Sequence, residues 1–230
     1  MKVLLFDIDG TLIRAGGAGR KALNRAGYAI YGKKDLCSEI SLAGRTDLWN
    51  FRELHRRATG RDPSPRELER LHQEYLSRLP HYVNAAIRKK TYIMPRGIKG
   101  LLKALSRRRD VLLGLGTGNM EKGARIKLGP SGFNSYFMFG GFGSDSFHRP
   151  TLLKAAVKRA ARIAGKPVRS ENVYVIGDTP LDVRAGKRAG FKTVAVGTGF
   201  SDWESLSRSR PDFLARDFRQ VRRWLKWFDL

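Results

Sequence analysis

Cysteine is almost missing. The 230-residue chain has one, Cys37, so no internal disulfide can form and a disulfide-stapled scaffold is excluded. Histidine is nearly as scarce, and His55, His72, His81 and His148 are scattered without the spacing of a zinc cluster. No apolar run approaches the ~18 residues that a membrane-spanning helix needs. The N-terminus opens with Lys2 and an apolar run, but Asp7 and Asp9 interrupt it before a signal-peptide core is complete. These absences lead us to expect a soluble, cytoplasmic protein.

Acidic residues are the largest deficit: 21 stand against 45 Lys and Arg, for a formal net charge of +24. Such a field draws anions, whether nucleic acid, anionic membrane or phosphorylated small molecules. Its distribution is even, with 17 basic and 8 acidic residues from Arg14 to Lys90 and 28 and 13 in the remainder. A dedicated nucleic-acid module concentrates its charge. Nucleic acid therefore stays open as a partner but is not favoured, and the charge reads as a compositional bias. What is present is ordinary globular material. The hydrophobic share of 41% and the 25 glycines allow a sizeable core, in one large domain or a core with a smaller unit attached.

Apolar runs ending in polar residues recur along the chain. Lys2 to Asp7 (KVLLFD) reads as a buried parallel strand. After Gly10-Thr11 and the glycines at 16, 17 and 19, the periodicity turns helical from Arg20 to about Arg88. Leu48, Phe51, Leu54 and Ala58 mark one helix; Pro63-Ser64-Pro65 starts another, carrying Leu68, Leu71, Tyr75 and Leu79. No strand signal interrupts this stretch. Beyond Pro95 strands are expected at Val111–Gly116, Tyr136–Phe139, Val173–Ile176 and Thr193–Val196, alternating with helices that include Leu152–Ala164 and Leu181–Ala189. That alternation implies right-handed βαβ units and an open parallel sheet, an α/β fold with a helical insert.

In such sheets ligands sit beyond the carboxyl ends of the strands. Three expected strands end in polar groups there: Asp7-Ile8-Asp9-Gly10-Thr11, Gly116-Thr117-Gly118-Asn119 and Gly177-Asp178-Thr179-Pro180-Leu181-Asp182. Four carboxylates crowded into one crevice would repel one another unless a cation joined them, and all-oxygen donors suit Mg²⁺. The hydroxyl and amides of Thr117, Gly118 and Asn119, at a helix start, suit a phosphate. Each motif alone is ordinary turn chemistry; it is their order, each after a strand, that points to phosphoryl chemistry.

Asp7-x-Asp9-Gly10-Thr11, Thr117 and Gly177-Asp178-x-x-x-Asp182 together resemble the haloacid dehalogenase-like (HAD) superfamily, over nearly the whole chain. The helical stretch stands where that family carries a C1-type cap. The resemblance implies a Rossmann-like three-layer core at residues 1–13 and 92–230 and an all-helical cap at 14–91. It implies Asp7 as a nucleophile forming an aspartyl-phosphate, with Asp9 as general acid and base. It also implies Mg²⁺ held by Asp7, the Asp9 backbone carbonyl and Asp178, with Asp182 as a ligand through water or as an orienting group, and Thr117 bonded to the phosphoryl group. Asp9 favours a phosphate substrate, because the dehalogenase branch resembled here does without that acid and without metal. The family's remaining motif is a cation, usually Lys. Arg149 stands at that place, as some phosphatase branches have it, with Lys154 and Lys122 as competitors.

Within the insert, Gly44-Arg45-Thr46-Asp47 resembles a cap segment that faces the substrate, so Arg45 is a candidate for a second anionic group. The plain alternative is that Thr46 caps a helix and Arg45 is a surface charge. Arg20 is a weaker candidate. The stripe Phe218, Val221, Leu225, Phe228 reads as a terminal helix docked on the core rather than a membrane-surface helix, and Trp49, Trp203, Trp224 and Trp227 read as packing. The expectation is a Mg²⁺-dependent phosphomonoester hydrolase, monomeric or weakly dimeric, acting on a small phosphorylated metabolite. Resemblance to phosphoglycolate phosphatase-like members makes phosphoglycolate or a sugar phosphate the first guess. A phosphomutase of the same family, and a nucleic-acid end phosphatase or binding protein, are the alternatives.

Overall fold

Val3, Leu4, Leu5 and Phe6 are all fully buried, because β1 (Lys2–Phe6) lies in the middle of a sheet covered on both faces. In the computed structural model, which describes residues 1–230, β1 pairs in parallel with β4 (Val111–Gly116) on one side and β6 (Val173–Gly177) on the other. Leu4 sits between Leu113 and Tyr174 in register. β5 (Phe139–Gly141), β7 (Lys192–Val196) and β8 (Phe213–Ala215) complete a six-stranded parallel sheet of order β5-β4-β1-β6-β7-β8.

Side chains alternate across the strands and divide the core into two faces. Val3 and Leu5 pack with Leu152, Leu153 and Ala156 of α6 (Arg149–Ala164) and Ala185 and Ala189 of α7 (Pro180–Ala189). Leu4 and Phe6 join Leu101, Leu102 and Leu105 of α4 (Ile98–Ser106) on the opposite face, together with the C-terminal helix. With helices on both faces, the α/β three-layer expectation holds.

Between β1 and β4 the chain makes a helical excursion of α1 (Ala18–Tyr31), α2 (Asp47–Thr59) and α3 (Pro65–Arg88). It leaves and returns through a two-stranded antiparallel ribbon, β2 (Arg14–Ala15) against β3 (Tyr92–Ile93). Ser64 and Glu67 form a capping box that starts α3, each satisfying the other's backbone amide. α5 (Glu121–Leu128) follows the Thr117–Asn119 loop, and α8 (Trp203–Arg208) lies between β7 and β8.

Two local expectations are corrected, and two elements go beyond them. The aromatic run at Tyr136–Phe139 suggests a strand, but Phe133–Tyr136 is a 3-10 turn closed by the Phe137 amide on the Asn134 carbonyl, and the strand begins at Phe139. β8 and α8 carry no signal strong enough to be expected. Trp203 is 36% exposed, its ring under the Arg216 guanidinium at 4.4 Å rather than in the core. The terminal stripe does dock: α9 (Val221–Trp227) buries Trp224, which stacks on Phe218 at 4.8 Å, with Phe228 fully buried beyond it.

Candidate active site

The carboxyl ends of β1 and β4 open onto a cavity of about 570 Å³ beneath the helical excursion, and β6 lies beside β1. Asp7, the first residue after β1, is pinned by its amide to the Ile176 carbonyl at 2.9 Å. The chain then turns sharply at Gly10, whose φ of +90° places it so close to the Asp178 carboxylate that a Cβ would collide with it. Asp178 follows β6, accepting bonds from the Thr11 hydroxyl at 3.2 Å and the Phe200 amide at 2.9 Å. Asp182 sits in the first turn of α7, where its Oδ2 accepts from the Thr179 amide and hydroxyl in a second capping box.

Asp7, Asp178 and Asp182 are buried together, with one oxygen from each lying within 4.8 Å of the others. Arg149, the first residue of α6, reaches into this group. Its guanidinium pairs with Asp182, lies 3.8 Å from Asp7 and donates to the Gly44 carbonyl at 3.2 Å. Burial, and then the Asp182 charge, push the Asp7 carboxyl up to about 7 even though Arg149 pulls it down. Burial, Asp182 and Asp7 likewise hold Asp178 well above the usual carboxylate range. One guanidinium among three carboxylates leaves the cluster short of positive charge. These are the residues that could hold a hard divalent cation.

The fourth carboxylate of the expected group, Asp9, lines the same cavity as Asp7 but stands outside the trio. Asp9 turns its carboxylate away from the cluster to a buried lysine, Lys127, whose ammonium donates to Oδ2 at 2.6 Å. Asn119 donates to the same oxygen at 3.0 Å. Thr117 is fully buried, its amide tied to the Gly141 carbonyl and its hydroxyl accepting from Asn119. Gly118 lies against the excursion: a Cβ there would strike the Arg45 carbonyl, and Thr46 Cα stands 2.9 Å from that position. The Asp47 amide donates to the Gly118 carbonyl at 2.7 Å, and Asp47 Oδ2 accepts from the Met120 amide at 2.8 Å. The start of α2 is thus stitched to the Gly118–Met120 loop.

Both readings of the Gly44–Asp47 segment coexist. Thr46 caps α2 by accepting from the Trp49 amide, while Arg45 lines the cavity with its guanidinium 4.4 Å over the Trp49 ring. Arg20 also lines the cavity, but its guanidinium is engaged by the Cys37 and Ile40 carbonyls, so it holds the loop after α1. Lys154 and Lys122 are exposed and line no part of the cavity, which leaves Arg149 as the cation beside Asp7. Lys127 escaped the sequence reading because it stands among Lys122 and Arg125 in a basic chain. The available signal was its place on the inward stripe of α5, with Ala124 and Leu128.

A buried carboxylate facing a cavity, offset by a guanidinium and flanked by a second, ion-paired carboxylate, can attack an electrophilic centre while its neighbour moves a proton. No helix is long and apolar enough to cross a membrane. The family model described as haloacid dehalogenase-like hydrolase matches residues 4–187. A phosphoglycolate phosphatase of Synechococcus elongatus is 28% identical over 218 residues, covering 93% of this chain and 92% of that protein. Among solved structures, CbbY from Rhodobacter sphaeroides in complex with phosphate is similar at a TM-score of 0.70 and 20% identity, covering 96% of each chain. A hydrolase from Pseudomonas syringae gives 0.69 and 21%, covering 99% of each. At those identities the likeness is one of fold.

Proposed function

We propose that this chain, which belongs to the haloacid dehalogenase-like hydrolase family, hydrolyses phosphomonoesters of small metabolites through an aspartyl-phosphate on Asp7. The observation that carries this reading is the buried trio Asp7, Asp178 and Asp182 at the strand ends, with Arg149 among them and Asp7 and Arg149 lining the cavity. The similarity to a phosphoglycolate phosphatase supports the class of ester, and makes a phosphorylated two-carbon acid the first substrate to try.

Asp7 attacks phosphorus; the ester P–O bond breaks with its electron pair on the departing oxygen, which takes a proton from Asp9. Water then attacks the aspartyl-phosphate, giving its proton to Asp9, and the P–O bond to Asp7 breaks to free phosphate. Arg149, always charged, offsets the charge that Asp7 and the phosphoryl group bring together. The Thr117 hydroxyl and the Gly118 amide hold the phosphoryl oxygens, while the Asn119 carboxamide is committed to Asp9, Lys127 and Thr117. Asp7, Asp178 and Asp182 fit Mg²⁺ by donor type and unbalanced charge, with the Asp9 carbonyl completing the set. Mg²⁺ bound there would supply Lewis-acid charge at the phosphoryl group.

Residues 14–91 act as a cap over a core made of 1–13 and 92–230. Support comes from the narrow β2–β3 ribbon and from the positive φ angles of Gly16 and Gly17 beside it, at +57° and +76°. A closed cap excludes bulk water and sets the leaving-group pocket. Arg45, free of hydrogen bonds and facing the cavity, suits an anionic group on the leaving portion.

Phosphate release from a panel of phosphomonoesters, with Mg²⁺ and with chelator, tests the proposal. Mg²⁺-dependent turnover that Asp7→Asn abolishes is the expected result. A folded, Mg²⁺-binding protein that releases no phosphate from any ester would overturn it, and a phospho-enzyme persisting until a sugar phosphate is added would point to a mutase.

A further inference from the structure

The most deeply buried lysine of the cavity has no task in the scheme above. The Lys127 side chain is 6% exposed, and an ammonium is costly to bury unless it is paired. It is paired twice, donating to Asp9 Oδ2 at 2.6 Å and to Asn119 Oδ1 at 2.6 Å. Asn119 closes the circuit by donating to the same Asp9 oxygen at 3.0 Å and to the Thr117 hydroxyl at 2.9 Å. Both donors therefore take Oδ2. No protein group donates to Oδ1, and Asp9 keeps a face on the cavity.

We infer that Lys127 is a positioning residue for Asp9: with Asn119 it anchors Oδ2 and makes Oδ1 the oxygen that exchanges protons with substrate and water. The inference rests on the phosphatase reading and deepens it. An anchor at Oδ2 serves both halves of the cycle, because a carboxyl protonated on Oδ1 still accepts hydrogen bonds at Oδ2. When the ester bond breaks, the proton leaves Oδ1 for the departing oxygen; when water attacks, a proton returns to Oδ1. A carboxyl free to rotate would present the wrong oxygen for part of the time, and proton transfer depends steeply on such alignment.

The rival account is that Lys127 only holds α5 against the Tyr75 side chain of α3, close beside it. The two separate on leaving groups. p-Nitrophenolate departs with little need of a proton, whereas an alkoxide requires one. kcat/KM for p-nitrophenyl phosphate and for an alkyl phosphate, measured on wild type and Lys127→Met, reports the steps through phospho-enzyme formation. The expected result is roughly a 100-fold loss on the alkyl ester, the scale of general acid catalysis, with less than about a threefold loss on the aryl ester. Asn119→Ala removes the other donor and shows the same split should Lys127→Met fail to fold. Equal losses on both esters, or no loss, would overturn the inference while leaving the phosphatase reading intact. A wild type inert on both esters would overturn the two together.

Discussion

Gly118→Ala adds one methyl group at the point where the Thr117–Asn119 loop meets the start of α2. The new carbon would overlap the Arg45 carbonyl and stand 2.9 Å from both Arg45 C and Thr46 Cα, which are backbone atoms and cannot swing aside. The loop has no room to retreat, because the Thr117 amide is bonded to Gly141 and the Asn119 carbonyl accepts from the Gly143 amide at 2.8 Å. Residues 45–47 must therefore move outward, stretching the 2.7 Å bond from the Asp47 amide to Gly118 and displacing Arg45 from the cavity wall. Overpacking of this kind costs about 1–3 kcal/mol; at 2 kcal/mol, a chain of this size loses ~4–8 °C in Tm. If the segment positions substrate as proposed, a shift of ~1 Å in it lowers kcat/KM by roughly 100-fold. Thermal melts followed by circular dichroism, and kcat/KM on the best ester of the panel, measure the two effects. A variant with wild-type kcat/KM and a Tm within ~1 °C of wild type would refute the close approach as a determinant of the site.

A methyl at Gly100 has the opposite effect: in the exposed turn of α4 it would meet only Val221 Cγ2, at 3.9 Å, so Gly100→Ala should raise stability by about 0.5–1 kcal/mol through the unfolded chain, and an unchanged or lower denaturation midpoint would contradict this. Cys37 is fully buried, and burial pushes its thiol up to about 11. At pH 8 the thiolate fraction is then on the order of one in a thousand, so the native protein should resist a thiol-disulfide reagent that labels the denatured chain at once. Rapid labelling without unfolding would show that the site opens.

The parts of this structure visible in the sequence are those where burial acts over several consecutive residues. KVLLF and VLLGLG read as strands because both their faces are covered, and the polar residues that follow them, Asp7 and Thr117, mark the strand ends where a cleft had to lie. Asp178 and Asp182 are legible from their place just after the expected strand Val173–Ile176 and from the family resemblance. β2 and β3 were beyond reach because two residues carry no period, and β8 because Phe213, Leu214 and Ala215 follow a proline-aspartate turn without alternation. The aromatics at 136, 137 and 139 misled because strand propensity and a 3-10 turn followed by a strand draw on the same residues. Lys127 and the turning aside of Asp9 depend on α5 meeting a loop more than a hundred positions away, a meeting that no local pattern encodes.

The central place of β1 has a consequence for how the chain is made. β1 is made before either of its partners and pairs with Val111–Leu115 on one edge and Val173–Ile176 on the other. At the usual ~5–20 residues per second, its second edge waits roughly 10–30 s for a partner. Meanwhile α1 and α3, which pack on each other, already have both halves of their contact in hand. The segment bearing Asp7 is thus made before both its neighbours and enclosed only with the later one, so a nascent chain stopped short of β6 carries the helical excursion beside a strand whose apolar residues, Val3 to Phe6, lack a partner on one edge.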